Sequence, residues 1–195
     1  MRARGLNFWL LVVAFGAPFV AGWLFVLNPA WLPGGGGGAN HGELIVPARS
    51  MEGVTLRNTQ GEAVPVGSVR GQWTLLLAAQ RCEVQCREML WKMRQVRRAL
   101  GADRKRVARL LVLDDLPAGA LTQLLRSEYP AMPVFRPAGD DLGSRLSPAK
   151  GVVRGLFVID PGGNLMMRYA LSAPAEGMLD DLQRLLKVSK HWGEQ

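Results

Sequence analysis

Cysteine and histidine are both scarce. The 195 residues hold two of each: Cys82, Cys86, His41 and His191. Two cysteines cannot build a disulfide scaffold, and a bridge four positions long closes too small a loop to restrain the unfolded chain much. A purely structural bridge is therefore the weaker reading, and dithiol redox chemistry or metal binding gains weight. The residues alone leave all three open. The histidines add little to a metal site. His41 reads as a solvated linker residue, with the alternative that it swings in as a third ligand, and His191 reads as a tail residue. Acidic residues are missing from the start of the chain. The first seven residues carry Arg2 and Arg4 but none of the 16 acids. No internal repeat is present.

Charge is absent from residues 8–27, a run of 20. A helix needs roughly 20 apolar residues to cross a bilayer. Trp9 and Trp23 near the ends of the run, with Trp31 just beyond, suit interfacial belts, and Pro18 is tolerable in a membrane helix. The next basic residue after the run is Arg49, so the positive-inside rule keeps the N-terminus in the cytoplasm and sends the rest across. A cleaved signal peptide is the competing reading, but its apolar region is typically shorter, about 7–15 residues. The expected organisation is a cytoplasmic N-terminus (1–7), a transmembrane anchor (8–27), a Gly-rich linker (28–43) with five successive glycines from Gly34 to Gly38, a folded domain (44–188) and a tail (189–195). Beyond a bacterial inner membrane, paired cysteines can persist as a disulfide.

The net charge of +8 is uneven. After the anchor, 22 basic and 16 acidic residues leave about +6. Ten basic residues fall between Arg81 and Arg109, against Glu83, Glu88 and Asp103. A solvated helix face accounts for them, and the sharper reading is a docking patch for anionic lipid or an acidic partner protein. No nucleic-acid partner is expected for an exported, anchored domain.

Within the domain, strand and helix patterns alternate. Val54-Thr55-Leu56 and Ala63-Val64-Pro65-Val66 flank a turn at Asn58-Thr59-Gln60-Gly61, the mark of a hairpin. Trp73–Ala79 is a continuous apolar run, which reads as a buried strand. Residues 83–100 then carry Val84, Leu90, Met93, Val96 and Leu100 at helical period, with Gly101 as a stop. A second buried strand follows at Val107–Leu113, ended by Asp114-Asp115. Residues 118–129 read as a short helix, 132–135 as a short strand and 139–150 as polar and irregular. A strand at 152–159 and one at 165–169 form a hairpin around Asp160-Pro161-Gly162-Gly163. A helix at Ala175–Val188 closes the domain. This order predicts an α/β fold with a mixed central sheet flanked by helices.

Cys82 and Cys86 then fall at the turn from the central strand into the long helix. Helix-start N–H groups and the helix dipole favour negative charge. A thiol there loses its proton more easily, and the thiolate is the form that attacks disulfides and binds soft metals. Were the turn helical from Cys82, positions i and i+4 would share a face, so the sulfurs could bridge or chelate. Arg81 and Arg87 favour thiolate and Glu83 opposes it. Cu(I) prefers thiolate and thioether ligands, yet Met89 and Met93 read as core, and Met166-Met167 as one packed and one exposed side chain. Asp114 and Asp115 could accept protons near the thiols, but turn-forming and capping roles fit them better.

The element order resembles a thioredoxin-like fold, and its details resemble the Sco/SenC family of cytochrome c oxidase assembly factors. The resemblance rests on the hairpin Leu56-Arg57-Asn58-Thr59-Gln60-Gly61-Glu62-Ala63-Val64 followed by Val69-Arg70-Gly71-Gln72-Trp73, on Cys82-Glu83-Val84-Gln85-Cys86, and on Leu156-Phe157-Val158-Ile159-Asp160-Pro161-Gly162-Gly163. It spans roughly residues 50–187. It implies copper held by Cys82 and Cys86, and as partners the inner membrane, a respiratory oxidase subunit or other assembly factors. The family also binds copper through a histidine shortly before the late strand, whereas Pro148-Ala149-Lys150-Gly151-Val152-Val153-Arg154 contains none. The family's prolines beside the cysteines are replaced by Glu83 and Arg87. The proline that thioredoxin-type reductases carry before this strand is missing too.

Three functions compete. The resemblance implies a membrane-anchored periplasmic factor for a haem–copper oxidase, acting through Cys82 and Cys86 by copper delivery or by keeping thiols reduced. The alternatives are a general periplasmic thiol–disulfide oxidoreductase and a non-catalytic docking module. Whether the chain is an enzyme stays open at this level.

Overall fold

The computed structural model describes residues 2–28, 40–69, 71–139, 141–147 and 154–189. Trp31, the glycine run Gly34–Gly38, residues 148–153 and His191 lie outside them. The chain divides into two units, Met1–Ala39 and Asn40–Gln195.

The first unit contains one helix, α1 (Arg2–Leu27), with Pro18 inside it. Leu11, Val13, Phe15, Phe19 and Trp23 are exposed along it. Among the described residues no helix is long and apolar enough to cross a membrane.

The second unit is built on an eight-stranded mixed sheet in the order β1-β8-β7-β4-β5-β6-β2-β3. Its strands are β1 (Glu43–Ser50), β2 (Thr55–Asn58), β3 (Ala63–Pro65), β4 (Trp73–Ala79), β5 (Val107–Leu113), β6 (Val134–Pro137), β7 (Gly155–Ile159) and β8 (Asn164–Tyr169). The helices are α2 (Val84–Ala99), α3 (Ala120–Glu128), α4 (Asp141–Leu146) and α5 (Ala175–Val188). Every residue of β4 is buried. It runs parallel to β5, from Trp73 opposite Val107 to Ala79 opposite Leu113, and antiparallel to β7.

A strand covered on both faces reads as a continuous apolar run, not as an alternating one. That is why Trp73–Ala79 is legible. Its side chains still alternate between faces. Leu75 and Leu77 join Cys86, Met89, Leu90 and Met93 of α2 and Met178, Leu182 and Leu186 of α5 in one core. Leu76 and Ala78 join Leu142 and Leu146 of α4, with Met51, Val54 and Leu56, in the other. Each fully buried aliphatic side chain contributes about 1.5–3 kcal/mol.

The expected hairpins form as β2–β3 and β7–β8. The Asp160 carboxylate closes the second by accepting from the Asn164 backbone N–H at 2.8 Å. The strand expected at 132–135 sits at Val134–Pro137. One correction falls at 139–150, expected to be irregular: residues Asp141–Leu146 form α4. Leu142 and Leu146, one turn apart, are buried on the second face, and that packing outweighs the polar composition around them. β1 leaves no strand pattern in the sequence because Pro47 interrupts it. The strand tolerates Pro47, across a cis Val46–Pro47 bond, because β1 is the sheet edge.

A buried carboxylate ties the start of this unit to its end. Asp181 of α5 is fully buried. It accepts from the backbone N–H groups of His41 (2.9 and 3.1 Å) and Gly42 (2.8 Å) and from the Tyr169 hydroxyl (2.7 Å). Burial, and then the neighbouring Asp181, pushes the Tyr169 phenol well above its ordinary range. Position 42 needs glycine, since a Cβ there would sit 2.6 Å from the Met167 sulfur. At the other end of α5, Arg106 donates to the Leu186 and Ser189 carbonyls at 2.9 and 2.6 Å, a cation capping a helix C-terminus. Asp181→Ala, which strands these donors in the interior, is expected to lower unfolding free energy by about 2–3 kcal/mol in urea denaturation. A loss below about 0.5 kcal/mol, the level of an ordinary surface substitution, would show the clamp to be idle.

Candidate functional site

β4 ends at Ala79, and α2 begins at Val84. The four residues between them carry the chain from sheet edge to helix start. Glu83 at the N-cap is extended, so Cys82 stands outside the helix and Cys86 inside its first turn. The turn is therefore not helical from Cys82, in keeping with a helix expected from residue 83 with only the second cysteine in its first turn. The sulfurs still meet, because the turn brings the two Cα atoms to 5.0 Å, within the range a bridge requires. Cys82 and Cys86 form a disulfide. Cys86 is 2% exposed and packs with Met89 and Leu90, while Cys82 is only half-buried.

Three loops gather around this bridge. The Arg81 side chain donates to the Asp115 carboxylate at 2.7 Å, and the Asp115 backbone N–H donates to the Gln80 carbonyl at 3.2 Å. These contacts join the end of β4 to the end of β5. From the segment before β7, Arg154 donates to the Gln80 side-chain oxygen at 3.2 Å. The resulting cleft, about 280 Å³, is lined by Gln80, Arg81, Glu83, Val84, Cys86 and Arg154, among others. It lies at the carboxyl ends of the parallel strands, where open α/β sheets form their sites. The hydrogen bond that Arg81 donates to Asp115, and then the charge of that carboxylate, raise the already high pKa of the guanidinium.

The other candidate residues lie apart from the bridge or inside the core. Met89, Met93 and Met167 are buried core, and Met166 is partly buried. Asp114 and Asp115 are exposed, and Asp115 holds Arg81. His41 is exposed, as a solvated residue would be, but it does not swing freely. Its backbone is fixed by Asp181, and its Nε2 lies 3.7 Å from the Asp180 carboxylate. Of the two cysteines it is Cys86 that lines the cleft, and reduction of the bridge would free its thiol there and that of Cys82 beside it. Among the described residues no group of three or more His, Cys, Asp or Glu is arranged to hold a metal ion. Sequence reasoning missed Arg154 and Gln80. The available signal was position: Arg154 directly precedes the late strand, where a ligand was sought.

A disulfide at the start of a helix, beside the central strand of a mixed sheet with helices on both faces, defines a thioredoxin-like protein. A family model described as transmembrane-like, thioredoxin-like, C-terminal domain matches residues 73–189, and the chain belongs to that family. No curated protein matches the chain. Among solved structures it is similar to apo Sco1 from Thermus thermophilus, at 17% identity and a TM-score of 0.60, over 75% of this chain and 97% of that one. It is also similar to copper-bound ScoI from Bradyrhizobium japonicum, at 21% identity and a TM-score of 0.50, over 67% and 96%. A thiol:disulfide interchange protein from Bacteroides sp. aligns at 13% identity and a TM-score of 0.55, over 75% and 94%. At these identities the likeness is one of fold, and it extends to the Sco/SenC proteins that the sequence resembles.

The unequal burial of the two sulfurs has a measurable consequence. In the reduced protein, limiting iodoacetamide should modify Cys82 about tenfold faster than Cys86, because alkylation needs an accessible thiolate. Peptide mapping by mass spectrometry gives the ratio, and equal labelling would contradict the shielding of Cys86.

Proposed function

We propose that this protein is a membrane-anchored thiol–disulfide protein that supports assembly of a respiratory haem–copper oxidase. Its Cys82–Cys86 pair cycles between dithiol and disulfide. One observation carries the reading: the two sulfurs are within bonding reach at a helix start, one accessible and one buried. That asymmetry suits an attacking thiol backed by a resolving one. The setting, oxidase assembly outside a bacterial inner membrane, is supported by the likeness to Sco proteins and by the charge-free run 8–27. The thiol chemistry is supported by the likeness to a thiol:disulfide interchange protein. Arg87 and Arg154 near the pair favour thiolate over a bound metal cation, with Glu83 opposing them and Arg81 taken up by Asp115.

Copper carriage is the second reading. The copper-bound ScoI of the same fold favours it, with reduced Cys82 and Cys86 as the thiolate ligands.

The two readings separate in one pair of measurements on the full chain in detergent. Equilibration in glutathione buffers, quenched by alkylation, should give a reversible two-electron transition at about −180 to −300 mV. Anaerobic Cu(I) titration against a competing chelator should give weak binding. A bridge that resists reduction across that range would sink the redox reading. Tight one-to-one Cu(I) binding lost in the Cys82→Ser/Cys86→Ser double variant would establish the carrier in its place.

α1 is assigned as the anchor, with Arg2 and Arg4 on the cytoplasmic side. At 26 residues it is about 39 Å long, enough for a hydrocarbon core of about 30 Å. The full chain should stay with membranes through alkaline carbonate extraction, and a chain lacking residues 1–28 should not. Release of the full chain would remove the anchor from the proposal.

A further inference from the structure

The outer face of α2 takes no part in either core. Val84, Glu88, Trp91, Gln95 and Arg98 recur every three or four residues, so they form one stripe starting at the rim of the disulfide cleft. Val84 is 71% exposed and Trp91 54%. An exposed tryptophan, about 10 Å along the helix from Val84 at the cleft rim, is the kind of side chain that anchors protein contacts. The charges around it are unbalanced. Arg81 is paired with Asp115, Lys92 with Glu88 at 2.8 Å and Arg94 with Glu128. Among the described residues Arg87, Arg98 and Arg154 have no carboxylate partner. Arg81 is taken up by Asp115, so Glu83, the one acid lining the cleft, offsets one of the two charges of Arg87 and Arg154 and leaves a surplus of one there, with Arg98 further along the helix. A surface with apolar anchors and surplus guanidinium charge next to the partly buried Cys82 complements an acidic segment with an apolar residue near its cysteine.

We propose that this face docks an acidic, cysteine-bearing segment of the client protein, which rests on the dithiol reading above. The client's apolar residue sits on Val84 and Trp91, its carboxylates face Arg87 and Arg154, and its disulfide lies at Cys82. The Cys82 thiolate attacks one client sulfur, the client S–S bond breaks, and one client thiolate leaves. The Cys86 thiolate then attacks the Cys82 sulfur and expels the second client thiolate. The client gains two electrons, the protein becomes the disulfide seen here, and solvent protonates the released thiolates. A dithiol reductant resets the pair. Arg87 and Arg154 are positioning residues in this scheme, and so is Trp91.

The test uses the full chain in detergent, reduced with dithiothreitol and desalted. It is mixed with three synthetic peptides of equal length, each holding one disulfide and a leucine beside it, flanked by Glu, Ser or Lys. Oxidation of Cys82 and Cys86 is followed by alkylation and mass spectrometry. The Glu peptide is expected to react about tenfold faster than the Lys peptide at low salt, with the ratio falling as salt is added. Arg87→Glu and Arg154→Glu should bring the ratio towards one. Trp91→Ala should slow all three peptides while leaving the ratio. Equal rates for the three peptides would overturn the docking surface and leave the dithiol reading standing. Reaction with none of them, nor with oxidised glutathione, would overturn both. Equal rates with a fluorescence shift on adding anionic phospholipid, lost in Trp91→Phe, would make the face a lipid contact and overturn the proposal as well.

Discussion

The burial of β4 on both faces and both edges is the constraint on which the rest of the second unit depends. Main-chain hydrogen bonds to β5 and β7 fill its edges, and α2 and α5 on one side and α4 on the other cover its faces. With Leu75 to Leu77 locked in register, the chain can leave the sheet only at Ala79. The cysteine turn must therefore emerge at the carboxyl edge, beside the end of β5 and the start of β7. The Arg81–Asp115 and Arg154–Gln80 contacts follow from that convergence.

The chemistry at this edge comes from unequal treatment of two identical groups. Cys86 is drawn into the core with Met89 and Leu90, and Cys82 is left at the rim. Arg81, held by Asp115, and Arg154, held by Gln80, line the cleft beside Cys86 together with Glu83. Other guanidiniums, beyond those neutralised by nearby carboxylates, extend along α2 beside Trp91.

Legibility followed the range of the interactions. β4, β5, α2 and α5 were readable because their signals are local: uninterrupted apolar runs for the strands and a 3.6-residue period for the helices. The hairpins were readable from the Asn58–Gly61 and Asp160–Gly163 turns. β1 was hidden because its pairing with β8 is long-range and Pro47 interrupts its pattern. α4 was hidden because six residues carry too little periodicity, and only Leu142 and Leu146 meeting the second face make it a helix. The Asp181 clamp was invisible because His41 and Gly42 lie some 140 positions from their acceptor.

The cysteine spacing, the helix after it and the strand before it were set locally, so residue order alone located the pair and the class of fold. Which sulfur is shielded, which arginine faces the cleft and where His41 is held were settled only when distant segments packed. Burial and charge proximity are properties of neighbours in space, and Arg154 stands 68 positions from Cys86 yet lines the same cleft.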